Sequence, residues 1–232
     1  MSLSLHQNKI RKKRSLNIVK LLNSNKLALR IMSEKNKDQK SKKILEAEEF
    51  YQKGLICGEK SDADGAVECW QKTVELNPEH FEAWYNLGNA YDIGKEDLDR
   101  ALECWNKALE LKPDDIDVLY NMGNAYREHA VYDRAIDCYK KVVELNPEDH
   151  EGWNNMANAY SGKGETSKAI ESWKKALEIK PDKFETWYNL ALVYRELREF
   201  DLAIDCCQKI LERYPDSYEV KRLLRTINEE KN

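Results

Sequence analysis

The sequence is poor in glycine and proline, with 9 and 5 in 232 residues. Collagen-like and low-complexity chains need far more of both, so neither class fits. There is no run of eighteen apolar residues, which excludes an ordinary membrane-spanning helix. The N-terminus is basic, but Lys20, Lys26 and Arg30 interrupt its apolar residues. It therefore lacks the continuous apolar segment of a secretory signal peptide.

Signatures of catalysis and of metal binding are also missing. There is no C-x-x-C pair, no phosphate-binding loop and no G-x-S-x-G. The four histidines, at 6, 80, 129 and 150, have no metal-ligand or triad partner at a useful spacing. Gly162-Lys163-Gly164 lacks the strand that precedes a nucleotide loop, and we interpret it as a turn. These absences predict a non-enzymatic protein with no cofactor and no metal site.

Charge is distributed unevenly along the chain. Residues 1–43 hold 13 Lys and Arg against 2 Asp and Glu, whereas residues 44–232 hold 25 against 40. A basic arm on an acidic body is typical of an interaction tail. Its segment 15–32 has a modest apolar stripe, so it could be a helix that forms on docking, a membrane-surface or organelle-targeting segment, a nucleic-acid contact or a disordered arm. Residues 33–43 are polar and are interpreted as a linker.

One eight-residue pattern recurs along the body. Its copies begin at Trp84, Leu119, Trp153 and Trp187, which are 35, 34 and 34 residues apart, and a diverged first copy begins at Phe50. A fixed period in this range is typical of stacked repeats, each burying its apolar face against its neighbours. We predict a repeat domain over 44–232, with repeats at about 47–80, 81–115, 116–149, 150–183 and 184–217 and a capping helix at 218–232.

Each repeat has the pattern of two helices. Trp84, Leu87, Gly88 and Tyr91 are spaced i, i+3, i+4 and i+7, so they share one face of a first helix. The second helices contribute an alanine followed four residues later by a ring or, in repeat 5, by Cys207. The interval from tyrosine to alanine is ten residues in repeat 2 and nine in repeats 3 to 5. We expect the extra residue to bulge at 94–97 and to disturb neither helix.

The six cysteines do not form a disulfide framework. Cys69, Cys104, Cys138 and Cys206 occupy one position in successive repeats. Equivalent atoms of packed helices lie about 10 Å apart, whereas the Cα atoms of a disulfide need about 4.4–6.8 Å. We therefore expect free thiols that act as small apolar residues in a reducing compartment such as the cytoplasm, although the basic N-terminus is also compatible with organelle targeting.

These residues resemble the tetratricopeptide repeat (TPR) family, whose signature is W-x₂-L-G-x₂-Y followed by an alanine, an aromatic residue and a proline. Repeats 2 to 4 match at nearly every position, repeat 5 at most and repeat 1 weakly. The resemblance covers about residues 47–217. It implies an all-α fold, a right-handed solenoid of five helix pairs whose first helices line a concave groove. It says less about function.

The residues opposite the buried face of each first helix are the candidate peptide-binding groove. An asparagine amide can donate to a peptide carbonyl and accept from a peptide N–H at once, so a series of them could hold an extended backbone. The alternative is that the asparagines serve the helix pairs alone. The predicted groove residues are Tyr51, Glu82, Tyr85, Asn86, Asn89, Asp92, Asp117, Tyr120, Asn121, Asn124, Arg127, Glu151, Asn154, Asn155, Asn158, Glu185, Tyr188, Asn189 and Arg195.

The charge of this groove predicts the charge of its ligand. TPR domains that bind chaperone tails clamp a carboxylate with lysine and arginine, but the corresponding positions here are Tyr, Glu and Asp. We predict a non-catalytic adaptor that binds a basic or neutral peptide segment of a partner and helps to assemble a larger complex. A second hypothesis is a structural subunit that self-associates through its end repeats or residues 1–43. Attachment to nucleic acid or a membrane surface through that arm is a weaker third.

Overall fold

The computed structural model describes residues 37–94 and 97–231, and this part of the chain contains helices and turns but no strand. The all-α fold of helix pairs is thus confirmed. Eleven α-helices follow one another. They are α1 (37–59), α2 (Ala63–Leu76), α3 (Phe81–Asn89), α4 (Leu98–Leu111), α5 (Ile116–Glu128), α6 (Tyr132–Leu145), α7 (His150–Lys163), α8 (Thr166–Ile179), α9 (Phe184–Glu196), α10 (Phe200–Arg213) and α11 (Tyr218–Lys231).

The chain divides into two compact units, Met1–Ala83 and Trp84–Asn232. The N-terminal unit contains repeat 1, formed by α1 and α2. The C-terminal unit contains the pairs α3/α4, α5/α6, α7/α8 and α9/α10, which are repeats 2 to 5, and the final helix α11. The predictions for residues 1–36 of the basic arm, including a helix over 15–32, lie outside the residues that the structure describes.

Helix α1 begins earlier than the sequence pattern indicated. The helical pattern was expected to start at Ile44, after a linker, but residues 37–43 are already helical and exposed. Lysine and glutamine are good helix formers, so this polar stretch extends the helix without contributing to the core. The linker prediction is therefore wrong for the described residues 37–43.

Local signals explain where most helices start and stop. The side chains of Asp62, Asp97, Asp115 and Asp149 each accept a backbone N–H from the first turn of α2, α4, α5 and α7. Each second helix ends two residues before a proline, because proline cannot continue a helix. The closing prolines are Pro78, Pro113, Pro147, Pro181 and Pro215.

The core of each pair forms where a small residue meets a ring. A Cβ added to Gly88 would lie 2.5 Å from Trp105 Cδ1, and one added to Gly123 would lie 2.7 Å from Tyr139 Cε1. Only glycine therefore lets the two helices come this close. Trp105, Tyr139 and Trp173 are almost fully buried. The repeat tryptophans of the first helices are half-buried instead, and Trp153 and Trp187 donate their indole N–H to the carbonyls of Pro147 and Pro181, at 2.9 and 2.8 Å.

The extra residue of repeat 2 does disturb its first helix. Ala90–Gly94 at the end of α3 form a π-helical turn, which overturns the expectation that the insertion would leave both helices regular. In repeats 3 to 5 the tyrosine carbonyl accepts the backbone N–H five residues ahead. In repeat 2, Tyr91 still accepts from the cap of α4 but over six residues, Asp97 N to Tyr91 O at 2.9 Å. Because both ends of this bond are retained, the helix itself widens to hold the insertion.

The C-terminal helix covers repeat 5. Val220, Leu223 and Ile227 of α11 are buried against the core, and Leu224 is partly buried, whereas the opposite face is exposed and polar. All six cysteines are free, and burial raises the pKa of Cys104 and Cys206 to about 12. Among the helices that the structure describes, none has the length and apolar character needed to cross a bilayer.

Candidate peptide-binding face

The predicted groove residues of the C-terminal unit lie on the first helices α3, α5, α7 and α9 and on the π-helical turn. The amides and tyrosines among them are half-buried, whereas Asp117, Glu151 and Glu185 are exposed in the first turn of their helices. Hydrogen bonds between successive first helices bring most of these side chains onto one continuous surface, which we call the amide face. It comprises Tyr85, Asn86, Asn89, Tyr120, Asn121, Asn124, Asn154, Asn155, Asn158, Tyr188 and Asn189.

Two predicted groove residues belong to the N-terminal unit. The Tyr51 ring lies 4.5 Å from the His80 ring, centroid to centroid, at an interplanar angle of 42°. His80 Nδ1 is 3.4 Å from a carboxylate oxygen of Glu82, and its Nε2 is 3.4 Å from one of Glu48. These contacts hold Tyr51 and Glu82 around one imidazole within that unit.

Three asparagines satisfy the buried ring of their own repeat. Asn89 and Asn158 accept the indole N–H of Trp105 and Trp173, both at 3.1 Å. Asn124 Oδ1 accepts the hydroxyl of Tyr139 at 2.6 Å. An indole N–H is a donor only, so each of the first two amides must turn its oxygen towards the ring. These three asparagines therefore connect the first helix of their repeat to the second helix.

Other amides connect one first helix to the next. Asn121 Nδ2 donates to Asn89 Oδ1 at 2.7 Å and to the Tyr85 hydroxyl at 3.2 Å. Asn189 Nδ2 donates to Asn158 Oδ1 at 3.1 Å, two repeats further along. Asn154 Oδ1 accepts from the buried Thr186 hydroxyl at 3.0 Å. Adjacent repeats are thus joined through the same surface that was predicted to contact a ligand.

Two tyrosines of the amide face, Tyr120 and Tyr188, are held by carboxylates at the start of α7 and in α11. The Tyr120 hydroxyl donates to Asp149 Oδ2 at 2.7 Å. Burial, together with this hydrogen bond, raises the pKa of Tyr120 well above its ordinary value. Burial and a hydrogen bond to Glu219 likewise raise the pKa of Tyr188. Both phenols remain protonated at neutral pH and stay donors to protein groups.

The internal bonds leave a defined set of amide groups for a ligand. In Asn89, Asn121 and Asn158 one end of the amide already makes two protein hydrogen bonds, so only the other end remains for a ligand. Among the described residues, no partner is found for the NH₂ groups of Asn89, Asn124, Asn154 and Asn158. The same holds for Oδ1 of Asn121 and Asn189. Asn155 makes no side-chain hydrogen bond within this described part, so both its ends are available.

Acidic residues flank these amides at one end of the first helices. Asp117 and Glu185 form no ion pair with any residue that the structure describes, and Glu151 lies 3.5 Å from Lys183. At the other end, burial and the nearby Glu128 carboxylate raise the pKa of Asp92, while His129 opposes the shift. The surface therefore carries several carboxylates that are not neutralised.

The two arginines predicted for the groove differ in availability. The Arg195 guanidinium makes two parallel hydrogen bonds to Glu230 of α11, the Nε bond at 2.8 Å, so a ligand would have to displace a carboxylate. Arg127 Nη2 lies 3.7 Å from a carboxylate oxygen of Glu128, and its Nε is buried without a partner in the described residues. Arg127 is thus a cation beside the amide face.

Sequence reasoning missed several residues that organise this surface. Asp149 and Thr186 fix Tyr120 and Asn154, and Glu219 and Glu230 fix Tyr188 and Arg195. Asp149 could have been found as a helix cap after Asn146-Pro147. The others lie on the repeat-to-repeat interface, whose partners a single-helix pattern does not identify.

Comparison with known proteins agrees with this architecture. A family model described as "Tetratricopeptide repeat" matches residues 116–149 and 184–217, and a second of that description matches 138–171. A model described as "TPR repeat" matches 54–92, 95–129 and 162–197. Together the matches reach from repeat 1 to the end of repeat 5.

Solved structures show the same fold. The crystal structure of MamA protein is similar with a TM-score of 0.68 at 26% identity, over 75% of this chain and 94% of that chain. YrrB, described as a TPR protein with an unusual peptide-binding site, is similar in fold with a TM-score of 0.64 at 21% identity, over 75% of this chain and 89% of its own.

A curated relative comes from Methanocaldococcus jannaschii. This uncharacterized protein is 42% identical over 50 residues, and the aligned part is 22% of this chain and 58% of the relative. The chain therefore spans little more than half the length of that relative. With the family models, the solved structures and the helix pairs in agreement, the chain belongs to the tetratricopeptide repeat family.

Proposed function

We propose that this protein is an interaction adaptor whose amide face binds an extended, basic or neutral segment of a partner protein and helps to assemble a larger complex. Its membership of a family of interaction modules supports the general role. The observation that carries the specific proposal is the combination, on one surface, of amide groups and of two carboxylates, Asp117 and Glu185, that have no partner among the residues that the structure describes.

The amide groups suit a peptide backbone. The NH₂ groups of Asn124, Asn154 and Asn158 can donate to backbone carbonyls, and Asn121 and Asn189 can accept backbone N–H groups through Oδ1. Such contacts do not depend on the ligand's side chains. Because the amides are already fixed by the rings and by neighbouring helices, little side-chain entropy is lost when a ligand binds.

The carboxylates give the preference for charge. Asp117, Glu151 and Glu185 are exposed at equivalent positions of repeats 3 to 5. A segment with lysine or arginine would gain favourable interactions with them, and an acidic segment would be repelled. Since these groups face solvent, the attraction should weaken as ionic strength rises.

The test is a titration of the full-length chain with two fluorescent peptides of equal length, one rich in lysine and one rich in glutamate. The lysine peptide should bind more tightly, and its affinity should fall with added salt. Substituting Asp117→Asn, Glu151→Gln and Glu185→Gln together should weaken it about tenfold, since exposed charge pairs contribute about 0.2–1 kcal/mol each.

The matched control changes three exposed carboxylates of the second helices, Glu103→Gln, Glu144→Gln and Glu171→Gln. This variant has the same net charge as the first triple variant but leaves the amide face intact. It should bind the lysine peptide almost as the unmodified chain does. Equal losses in the two variants, or tighter binding of the glutamate peptide, would contradict the proposal.

A further inference from the structure

The first repeat departs from the others at one position of its first helix. In repeats 3 to 5, the carbonyls of Tyr126, Tyr160 and Tyr194 accept the N–H of the residue that caps the second helix, at 2.8 Å. In repeat 1 the same bond runs from Asp62 N to Cys57 O, at 2.9 Å. Cys57 therefore stands where the other repeats have the signature tyrosine.

That tyrosine faces a fixed position of the second helix. Tyr126 and Cys138 line one crevice of repeat 3, and Tyr194 and Cys206 line the equivalent crevice of repeat 5. The residue equivalent to Cys138 and Cys206 in repeat 1 is Cys69. The alignment of the repeats thus places one cysteine on each helix of repeat 1, at positions that face each other.

The contacts of these two thiols agree with the register. Burial, and then the nearby Cys57 side chain, raise the pKa of Cys69, so the two thiols lie close together as the register indicates. Both side chains are half-buried, so a small reagent can reach them, whereas Cys104, Cys138, Cys206 and Cys207 are buried. This is the one pair of cysteines on facing helices of a repeat in the described residues.

We propose that Cys57 and Cys69 form a site of reversible thiol modification, in which a low-molecular-weight disulfide such as oxidised glutathione joins them. One thiolate attacks the glutathione disulfide, forms a mixed disulfide and releases the first glutathione thiolate. The second protein thiolate then attacks the protein sulfur of the mixed disulfide and releases the second glutathione. Two protein thiols are oxidised, one disulfide is reduced, and the two thiol protons end on the released glutathiones.

The bond would fasten α1 to α2 across the turn at Ser61 and Asp62. Cross-linking two helices of one pair restricts the unfolded chain and should hold the first repeat closed. Reduction would release it. The modification would thus change how firmly repeat 1 is folded without requiring any change in the amide face.

The test is equilibration of the full-length chain in glutathione buffers of increasing oxidation, followed by alkylation of the remaining thiols in denaturant. Trypsin cuts after Lys53, Lys60 and Lys72, so the two cysteines fall in separate peptides, 54–60 and 61–72. Mass spectrometry should find these peptides joined. Alkylation should drop from six sites to four, and the thermal midpoint of repeat 1 should rise by several degrees.

Variants separate this site from general oxidation. Cys57→Ser should abolish the joined peptides and leave Cys69 as a mixed disulfide with glutathione. Cys104→Ala, which removes a buried cysteine outside the pair, should keep them. The proposal is overturned if six thiols are still alkylated in excess oxidised glutathione. It is equally overturned if the unmodified chain stops at mixed disulfides or joins Cys57 to a second molecule.

Discussion

The asparagine that follows the small residue of the first helix illustrates how one residue can serve both the fold and a site. In repeats 2 and 4 it accepts the indole N–H of Trp105 and Trp173. In repeat 5 the ring is replaced by Cys207, and the asparagine by Leu192. Repeat 1 keeps the ring, as Trp70, but has Leu55 in place of the asparagine. The Trp70 indole N–H is buried and has no partner in the described residues.

This mismatch predicts that Leu55→Asn stabilises the protein. The new amide oxygen would accept from Trp70 Nε1, as Asn89 does from Trp105. A buried donor that gains an acceptor should raise the free energy of unfolding by about 1 kcal/mol. Urea unfolding followed by tryptophan fluorescence measures the change.

Leu192→Asn is the matched control for that prediction. Repeat 5 has no indole to bond, so this substitution buries an amide without a donor and should give no gain. The reverse change, Asn158→Leu, should cost about 1–3 kcal/mol because it leaves Trp173 Nε1 unpaired. Equal effects of the two leucine-to-asparagine substitutions would show that the ring is not the reason for the amide.

His150 predicts a dependence of stability on pH. Burial and the nearby Lys183 lower the pKa of His150, with Glu151 acting in the opposite direction, and its Nε2 is buried without a hydrogen bond in the described residues. The folded protein therefore binds this proton less readily than the unfolded chain, whose histidine has a pKa of about 6.5. Stability should be complete above that value and fall as the pH drops through it and below. Urea midpoints between pH 7.5 and 5 should show a smaller fall for His150→Gln, whose side chain does not titrate.

At this scale, the sequence predicted on which side of the first helices the asparagines lie, but not which protein groups they bond. The amphipathic pattern identified Asn89, Asn121 and Asn158 as neighbours of the candidate ligand. It did not show that Asn89 and Asn158 each accept two protein donors, because those donors come from another helix. Whether a peptide uses their remaining NH₂ groups stays a prediction.

In repeats 1, 3, 4 and 5, the turn between the two helices has a left-handed residue just before the cap of the second helix. Its φ is 60° at Ser61, 57° at Ala130, 84° at Gly164 and 62° at Arg198. Only Gly164 adopts this conformation without steric cost, because it has no Cβ. The turn geometry therefore requires a residue in the left-handed conformation, although three of these four residues have a side chain that disfavours this conformation.

The consequence is a pair of opposite predictions. Ala130→Gly removes the left-handed penalty of about 1–2 kcal/mol, partly offset by the greater freedom of glycine in the unfolded chain, so stability should rise by about 0.5–1 kcal/mol. Gly164→Ala should lower it by a similar amount. Chemical denaturation of both variants checks the signs. A loss of stability in Ala130→Gly would mean that the Ala130 methyl group makes a contact that outweighs the strain.

The π-helical turn shows where counting residues was insufficient. Ten residues between Tyr91 and Ala101, against nine in repeats 3 to 5, assigned the insertion to repeat 2 but placed it in the turn at 94–97 and not at the end of α3. The pattern did not indicate that the Tyr91 carbonyl and the Asp97 N–H would remain bonded. With that bond kept, the extra residue widens the helix at Ala90–Gly94, where burial and the nearby Glu128 raise the pKa of Asp92.

For the whole molecule, the residues at both ends of the described chain oppose simple end-to-end stacking. Val118, Thr186 and Val220 occupy equivalent positions in successive first helices and in α11, and all three are buried against the preceding helix pair. The equivalent residue of α1 is Glu49, which is exposed. In α11, the positions that hold the signature tryptophan, alanine and tyrosine in repeat 5 are taken by Lys221, Arg225 and Asn228. All three side chains are exposed. Covering these charged faces costs desolvation, so Glu49 and the exposed face of α11 disfavour direct stacking of one copy of the described residues on another.

The final prediction restores the missing face of α11. Lys221→Trp, Arg225→Ala and Asn228→Tyr together recreate the surface that first helices use to contact their second helix, on a face of α11 that is exposed in the structure. Partly buried Leu224 would then lie in an exposed apolar stripe, and such stripes associate. Sedimentation velocity should show a mass that rises with concentration for this variant and to a smaller extent for the unmodified chain. The control Arg222→Ala, Thr226→Ala and Lys231→Ala likewise removes two positive side chains and one uncharged polar side chain, without adding a ring. If both triple variants associate equally, lost charge rather than the restored helix face is the cause, and the polar end of α11 serves general solubility instead of closing the stack.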